Sequence, residues 1–269
     1  NKIWNAARFA LLNVDEKDLS YTRAKSLSDK WILTRAQELV KEVTDDFEQY
    51  RFSEAGMKIY NFTWGEYCDW YLEISKGEHM NQKVLLSVLK TLLKLLHPFV
   101  PYVTEVLWSH LGEKEMLIGS SFPKTEKSLM FPKEAKQIGI ILGVISAIRK
   151  LKHENSVNPV KKIHAIVFGA PKHIKLLEEK RKPIMRLARL ETLDLVSERI
   201  AMPMEKVPES VSKFLDSGIE VYLPIRNLIN AEEERKKLVK ELADLESYIK
   251  GLESKLKNEG FRKKAPAEL

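Results

Sequence analysis

The chain has 269 residues, of which 44% are hydrophobic and 31% charged, and its 45 Lys and Arg against 38 Asp and Glu leave a formal charge of +7. That length gives one to three domains with a real core, while the single cysteine, Cys68, excludes an internal disulfide or a cysteine-cluster metal site and favours a reducing compartment. The basic surplus permits a nucleic-acid partner without requiring one, since a lysine-rich solvated surface gives the same balance.

The first helix covers about 1–13. At 3.6 residues per turn its apolar face is Ile3, Trp4, Ala7, Ala10, Leu11 and Val14, while Lys2, Asn5, Arg8 and Phe9 point the other way. Phe9 is out of place on a core-only account. It could stack an unpaired base whose edges and phosphates the polar neighbours reach, or another helix covers it; from the residues alone, coverage is the better reading. A polar linker, Asp15–Ser20, leads to a second helix over Leu27–Tyr50. Ser26 or Ser28 caps it, Trp31, Ile32, Leu39, Val43 and Phe47 mark its buried side, and Arg35, one turn from Trp31, faces a ligand or solvent.

Ser53 is positioned to cap the next helix, which carries Phe62-Thr-Trp-Gly-Glu-Tyr-Cys-Asp-Trp-Tyr-Leu-Glu73 and ends near Lys76-Gly77. Helical winding places Tyr60, Trp64, Tyr67 and Tyr71 on one face, with Glu66, Asp69 and Glu73 on the far side, where an acid–base pair is possible in principle but a charged strip or ion-pair partners is the better reading without a pocket or nucleophile. So aromatic a helix belongs at the centre of a bundle. A fourth helix spans Asn81–Leu96. The apolar run Val84–Val100 is interrupted by Ser87, Lys90, Lys94 and His97, so it reads as a buried amphipathic helix and no membrane span is expected. His97-Pro-Phe-Val-Pro101 breaks it, and Tyr102–Leu111 follows as a short fifth. Short links between such helices describe an up-and-down bundle, with Gly112–Pro132 a surface connection.

From Lys133 the pattern changes. Ala135–His153 reads as a helix with Ile138, Ile141, Leu142, Ile145, Ile148 and Leu151 inside. Lys162–Phe168 and Leu190–Val196 read as strands, Pro171–Leu187 as helix, and Val211–Phe214 with Ile219–Leu223 as a hairpin about Asp216-Ser-Gly218. Finally, Leu238, Leu242, Leu245, Ile249, Leu252 and Leu256 alternate at four and three, in phase with Leu228 and Ala231, a coiled-coil seam in need of a partner. Gly260 and Phe261 suit its stop, and Pro266 a further helix start. The expected fold is mainly α, with a helical bundle over 1–132, a small α/β unit over 133–226 and a long coiled-coil helix over 227–269. The chain opens within a helical pattern, without methionine or a signal peptide, as expected of a piece of a longer protein.

No glycine-rich phosphate loop, His-Glu-x-x-His, Cys-x-x-Cys or nucleophile elbow occurs, so no catalytic residue, metal ligand or cofactor site is assigned. His97 and His110 read as helix-end or packing residues.

Three stretches carry a resemblance: Asn1-Lys-Ile-Trp-Asn-Ala-Ala-Arg-Phe9, Trp64-Gly-Glu-Tyr-Cys-Asp-Trp-Tyr-Leu-Glu73 and Leu92-Leu-Lys-Leu-Leu-His-Pro-Phe-Val-Pro101. Together the chain resembles the anticodon-binding region of class I aminoacyl-tRNA synthetases. Leu223-Pro-Ile-Arg-Asn-Leu-Ile229, Glu232–Leu256 and Asn258-Glu-Gly-Phe-Arg-Lys-Lys-Ala-Pro-Ala-Glu268 make it most similar to the valine-specific branch, where a coiled-coil arm begins. The resemblance implies a cytoplasmic tRNA-binding portion of a valine–tRNA ligase, whose full length uses ATP to attach valine to tRNA(Val). The His-Ile-Gly-His and Lys-Met-Ser-Lys-Ser signatures of that chemistry do not occur, so the chain alone is expected to be inert. Lys2, Asn5, Arg8, Phe9 and Arg35 are the implied anticodon contacts, which reverses the preference on Phe9. Lys236, Lys237, Lys240, Lys250, Lys255 and Lys257 are implied phosphate contacts on the arm. Lys161 and Lys162 match a basic family position, although Asn158 and Val160 depart from its usual Pro-Pro-Ser-Lys-Lys. The family's second arm helix does not occur, which leaves the leucine seam to self-association between chains or to disorder, and the alternatives are an isoleucyl or leucyl relative or a coiled-coil scaffold that binds no RNA.

Overall fold

The computed structural model describes residues 1–12, 24–76, 81–113, 115–197, 210–224, 239 and 242–252. Of the expected features, the 15–20 linker, Gly77, Leu228, Ala231, Leu238, Leu256, Gly260, Phe261 and Pro266 lie outside the described residues.

Helix α1 spans Lys2–Leu12 and α2 spans Leu27–Glu48. The start of α2 is a capping box: the Ser26 hydroxyl accepts from the Asp29 amide at 3.0 Å, and the Asp29 carboxylate accepts from the Ser26 amide at 3.1 Å. Helix α3, Phe52–Asn61, begins at Arg51 and has no side-chain cap, so Ser53 is not its N-cap. The corner before it sets the start instead. Asp46, buried at the end of α2, receives Arg51 Nε at 2.9 Å and Lys58 Nζ at 2.6 Å, which pins the turn two residues ahead of the serine.

Phe62–Tyr71 continues α3 as a π-helix and passes into α4, Leu72–Ser75. Its turns are wider, as when the Leu72 amide bonds the Tyr67 carbonyl five residues back. Residues five apart therefore share a face, and Phe62, Tyr67 and Leu72 are all buried, with Tyr71 beside them. The expected single aromatic face does not exist. Tyr60 is 50% exposed and stacks on half-buried Trp64 with centroids 4.4 Å apart, while Tyr67 and Tyr71 are fully buried. Tyr67 donates its hydroxyl to the Leu85 carbonyl and Tyr71 donates to Asp29, each at 3.0 Å, so the two inward rings bring a satisfied polar tip.

Helix α5, Gln82–Leu96, is capped by Asn81 and supplies the apolar centre through Leu85, Leu89, Leu92, Leu93 and Leu95. Helix α6, Pro101–Ser109, follows after the His97–Val100 corner. Helix α1 lies on the π-helix, α5 and α6. Its buried residues are Ile3, Ala6, Ala7 and Ala10, which corrects the expected face: Trp4 is 42% exposed, and half-buried Phe9 packs against the core. Three alanines allow close approach of the backbones, so the contact is centred on them rather than on the larger tryptophan.

Helix α7, Pro132–Glu154, has buried apolar residues on two sides. It packs along α2 and also against the sheet and its helices, which is why Val144 and Ala147 are buried and the expected Leu142 is only partly so. Strand β1 (Ile163–Phe168) leads to α8 (Pro171–Glu179), α9 (Arg181–Ala188) and β2 (Leu190–Val196). The expected single helix over 171–187 is thus two, parted at Lys180. Strands β3 (Ser210–Phe214) and β4 (Glu220–Pro224) form the hairpin, closed by Gly218 at φ +75°. The sheet order is β2-β1-β4-β3, with β1 and β2 parallel and the other pairs antiparallel. One apolar cluster runs from Ile3 to Leu223 through bundle, α7 and sheet. The described fold is mainly helical with a small mixed sheet.

Candidate nucleic-acid interface

The outer side of α1 and the adjoining edge of the π-helix carry most of the implied anticodon contacts. Asn5 and Arg8 are exposed on α1, and Lys2 and Phe9 are half-buried. Beneath them the carboxylates Glu66, Asp69 and Glu73 recur at helical spacing, and each meets a cation. Lys2 Nζ lies 2.6 Å from Asp69 Oδ1, Arg35 forks onto Glu66 with bonds of 2.8 and 2.9 Å, and Lys76 pairs with Glu73. This strip is an ion-paired surface, one of the two readings of its spacing.

The ion pairs tie the face together across elements. Arg35 on α2 also pairs with Glu38, and its hydrogen bond to Glu66, ahead of the attraction between their charges, raises its pKa above the ordinary guanidinium value despite burial. Its fork is therefore a fixed wall at the edge of the face. Lys76 Nζ lies 5.5 Å from the centre of the Phe9 ring, so that ring lies between core packing on one side and a cation on the other. Lys2 and Phe9 of α1 and Arg35 of α2 are brought against the aromatic helix by Asp69, the Glu73–Lys76 pair and Glu66 respectively.

Sequence reasoning missed Trp4 and the Tyr60–Trp64 stack as exposed aromatic surface. Both follow from packing: α1 turns on its alanines, and the π-helix rotates Trp64 away from Tyr67. No sequence period marks the change, because the same residues fit an α-helix. Of the arm lysines, Lys250 lies on the exposed helical stretch 242–252, while Lys236, Lys237, Lys240, Lys255 and Lys257 lie outside the described residues. On that stretch Leu242, Leu245, Ile249 and Leu252 are exposed.

Two other features bear on chemistry. A groove of about 1090 Å³ opens between α2, α5 and the 112–131 connection, but its lysines tether that connection: Lys90 pairs with Glu113, and Lys94 donates to the Ser121 carbonyl at 3.2 Å. Among the described residues no three His, Cys, Asp or Glu side chains are grouped to hold a metal, and no helix is long and apolar enough to cross a membrane.

Comparison with known proteins finds two family models in sequence. The anticodon-binding domain of tRNA ligase matches residues 29–167, and the valyl tRNA synthetase tRNA binding arm matches residues 230–269. The chain is 36% identical over 281 residues to a valine–tRNA ligase of Carboxydothermus hydrogenoformans, covering 100% of this chain and 31% of that protein. It is 34% identical to the Bacillus cereus enzyme of the same name, covering 99% and 31%, and 35% identical to that of Geobacter sulfurreducens, covering 100% and 32%. The chain thus spans about a third of the length of these curated relatives.

Proposed function

The chain belongs to the family of anticodon-binding domains of tRNA ligases, and from that membership we propose that it is the tRNA-holding part of a valine–tRNA ligase. The observation that carries the reading is the order of the two matches, an anticodon-binding domain followed by a valine-type arm, over a chain related throughout its length to proteins of that name. In the proposal the longer cytoplasmic protein activates valine with ATP and esterifies it to tRNA(Val), while this portion binds and orients the tRNA. The stretch 1–132 reads the anticodon, 133–226 forms a junction, and 227–269 starts a coiled-coil arm. Exposure of Leu242, Leu245, Ile249 and Leu252 supports a seam that takes another helix, from an arm or from a second copy.

The proposed mechanism is binding without bond chemistry. Asn5 and Arg8 offer donors to base edges and phosphates, Phe9 offers a ring for an unpaired base, and Lys2 and Arg35 frame the face through Asp69 and Glu66. Lys250, with the other five arm lysines, is proposed to meet phosphates further along the tRNA.

The test is binding of tRNA with a valine anticodon against the same tRNA carrying an isoleucine or leucine anticodon. The valine form is expected to bind more tightly, and Phe9→Ala is expected to cost about 1–3 kcal/mol, the range for one stacked base. Equal binding of all three would sink the valine reading, and preference for another anticodon would move it to that relative. Oligomers in light scattering with no retained tRNA would favour the scaffold.

A further inference from the structure

Over much of the described molecule, cations meet carboxylates: Lys30 meets Glu134, Arg35 meets Glu66, and Arg51 and Lys58 share Asp46. The junction of α7, α9 and β2 departs from this. Arg149 sends Nε and Nη2 to the Leu187 carbonyl at 3.2 and 2.9 Å, and its guanidinium lies 4.8 Å from the centre of the Trp70 ring. Lys152 is only 4% exposed, yet its ammonium donates to the carbonyls of Lys161 at 2.7 Å and Arg189 at 3.4 Å. Arg189, at a left-handed φ of 52°, donates to the Pro159 carbonyl at 3.4 Å. Arg186 reaches the carbonyls of Glu73 and Ile74 at 2.9 and 3.4 Å. Lys161 and Lys162 stand exposed beside them.

Carbonyl oxygens satisfy these donors but carry no net charge. Among the described residues none of these six cations is ion-paired with a carboxylate: Glu154 pairs with Lys150, and Asp69 and Glu73, whose charges also attract Arg149, pair with Lys2 and Lys76. Burial, followed by the charge of Arg189, lowers the pKa of both Arg149 and Lys152. Concentrated like charge destabilises the fold locally and attracts polyanions. The connection 155–162 between α7 and β1 is also held in shape, since the Asn158 side chain accepts from the Val160 amide at 2.9 Å and the Val157 amide donates to the Lys152 carbonyl at 2.8 Å.

The position of the cluster selects its ligand. Trp70, under Arg149, follows Asp69, which holds Lys2 of α1, and Arg186 binds the carbonyl of Glu73, whose side chain holds the lysine over Phe9. The cluster therefore begins where the α1 face ends. We infer that the exposed Arg149, Lys161, Lys162, Arg186 and Arg189, with buried Lys152 adding its charge from beneath, form a second RNA contact, gripping backbone phosphates of the strand whose bases face α1; this rests on the tRNA reading above. It supplies affinity without base preference, since phosphates carry no sequence information directly.

The test uses Lys161→Ala/Lys162→Ala, whose side chains are exposed, with Lys124→Ala/Lys127→Ala as an equal charge loss on another exposed stretch. Binding of valine-anticodon and exchanged-anticodon tRNA to the whole 269-residue chain is measured over a salt series. The first variant is expected to weaken both RNAs by the same factor and to reduce the log–log salt slope by about 1.4–1.8, at roughly 0.7–0.9 per lost phosphate contact. The control is expected to leave slope and affinity nearly unchanged. An unchanged slope in the first variant, or an equal fall in the control, overturns the cluster as a site while anticodon discrimination by the parent chain leaves the tRNA reading standing. Loss of discrimination without a change of slope would put these lysines on the base-reading side and also overturn the proposal. A parent chain that binds neither RNA removes both readings.

Discussion

Cys68 sits 7% exposed in the π-helix, and burial pushes its thiol up to about 11, with Lys2 opposing and Asp69 reinforcing the change. At pH 8 such a thiol carries about one-hundredth of the thiolate that an exposed cysteine carries, and the thiolate is the reactive form. Alkylation of the native chain is therefore expected to run at least about a hundredfold slower than in urea, and comparable rates would show that the site opens freely. The same attention to surroundings alters how the implied contact residues read. Arg35 and Lys2 are recognisable in sequence as basic residues on helices, but their partners Glu66 and Asp69 are 31 and 67 positions away. Trp4 is exposed and Phe9 half-buried because α1 docks on Ala6, Ala7 and Ala10. Residue type was legible at these positions; the side facing outward was not, since several helical faces of α1 are apolar enough to pack.

Helix limits were largely legible where a cap or a proline writes them. Ser26, Asn81 and the His97–Pro101 break each stand where the spacing puts them. The π-helix was not legible, because its widened turn is selected by what the rings meet. On this underwound helix Tyr67 reaches the Leu85 carbonyl and Tyr71 reaches Asp29. Asp29 is the joint of this arrangement. Only 3% exposed, it accepts from the amides of Lys25 and Ser26, from Asn81 Nδ2 at 2.8 Å and from the Tyr71 hydroxyl, tying the start of α2 to the end of the aromatic helix and the cap of α5. Asp29→Ala strands these donors together and is expected to cost about 3 kcal/mol in urea unfolding, as for loss of a charged acceptor in a buried network. A loss below about 1 kcal/mol would mean that water or Ser28 replaces the carboxylate.

At the scale of the molecule α7 is the shared wall, with α2 on one side and the sheet and its helices on the other. Arg149 on Trp70 and Arg186 on the Glu73 carbonyl add polar ties across the same boundary. Bundle and sheet are therefore expected to unfold together. All five tryptophans, Trp4, Trp31, Trp64, Trp70 and Trp108, precede α7, so fluorescence reports chiefly on the bundle, with Trp70 at its boundary with α7. Its urea midpoint should coincide with that for exchange of the β1 amides at the centre of the sheet, and two separated midpoints would divide the molecule. The sequence by itself determined the helical character of the first half, the hairpin about Gly218, the change of pattern after Lys133 and the family, because local period, turn chemistry and motif order are written along the chain. Tertiary structure decided the pitch of the aromatic helix, the rotation of α1, the partners of the carboxylate strip and the cluster of cations without carboxylates. Those depend on which distant surfaces meet, and no local pattern records a neighbour that is a hundred residues away.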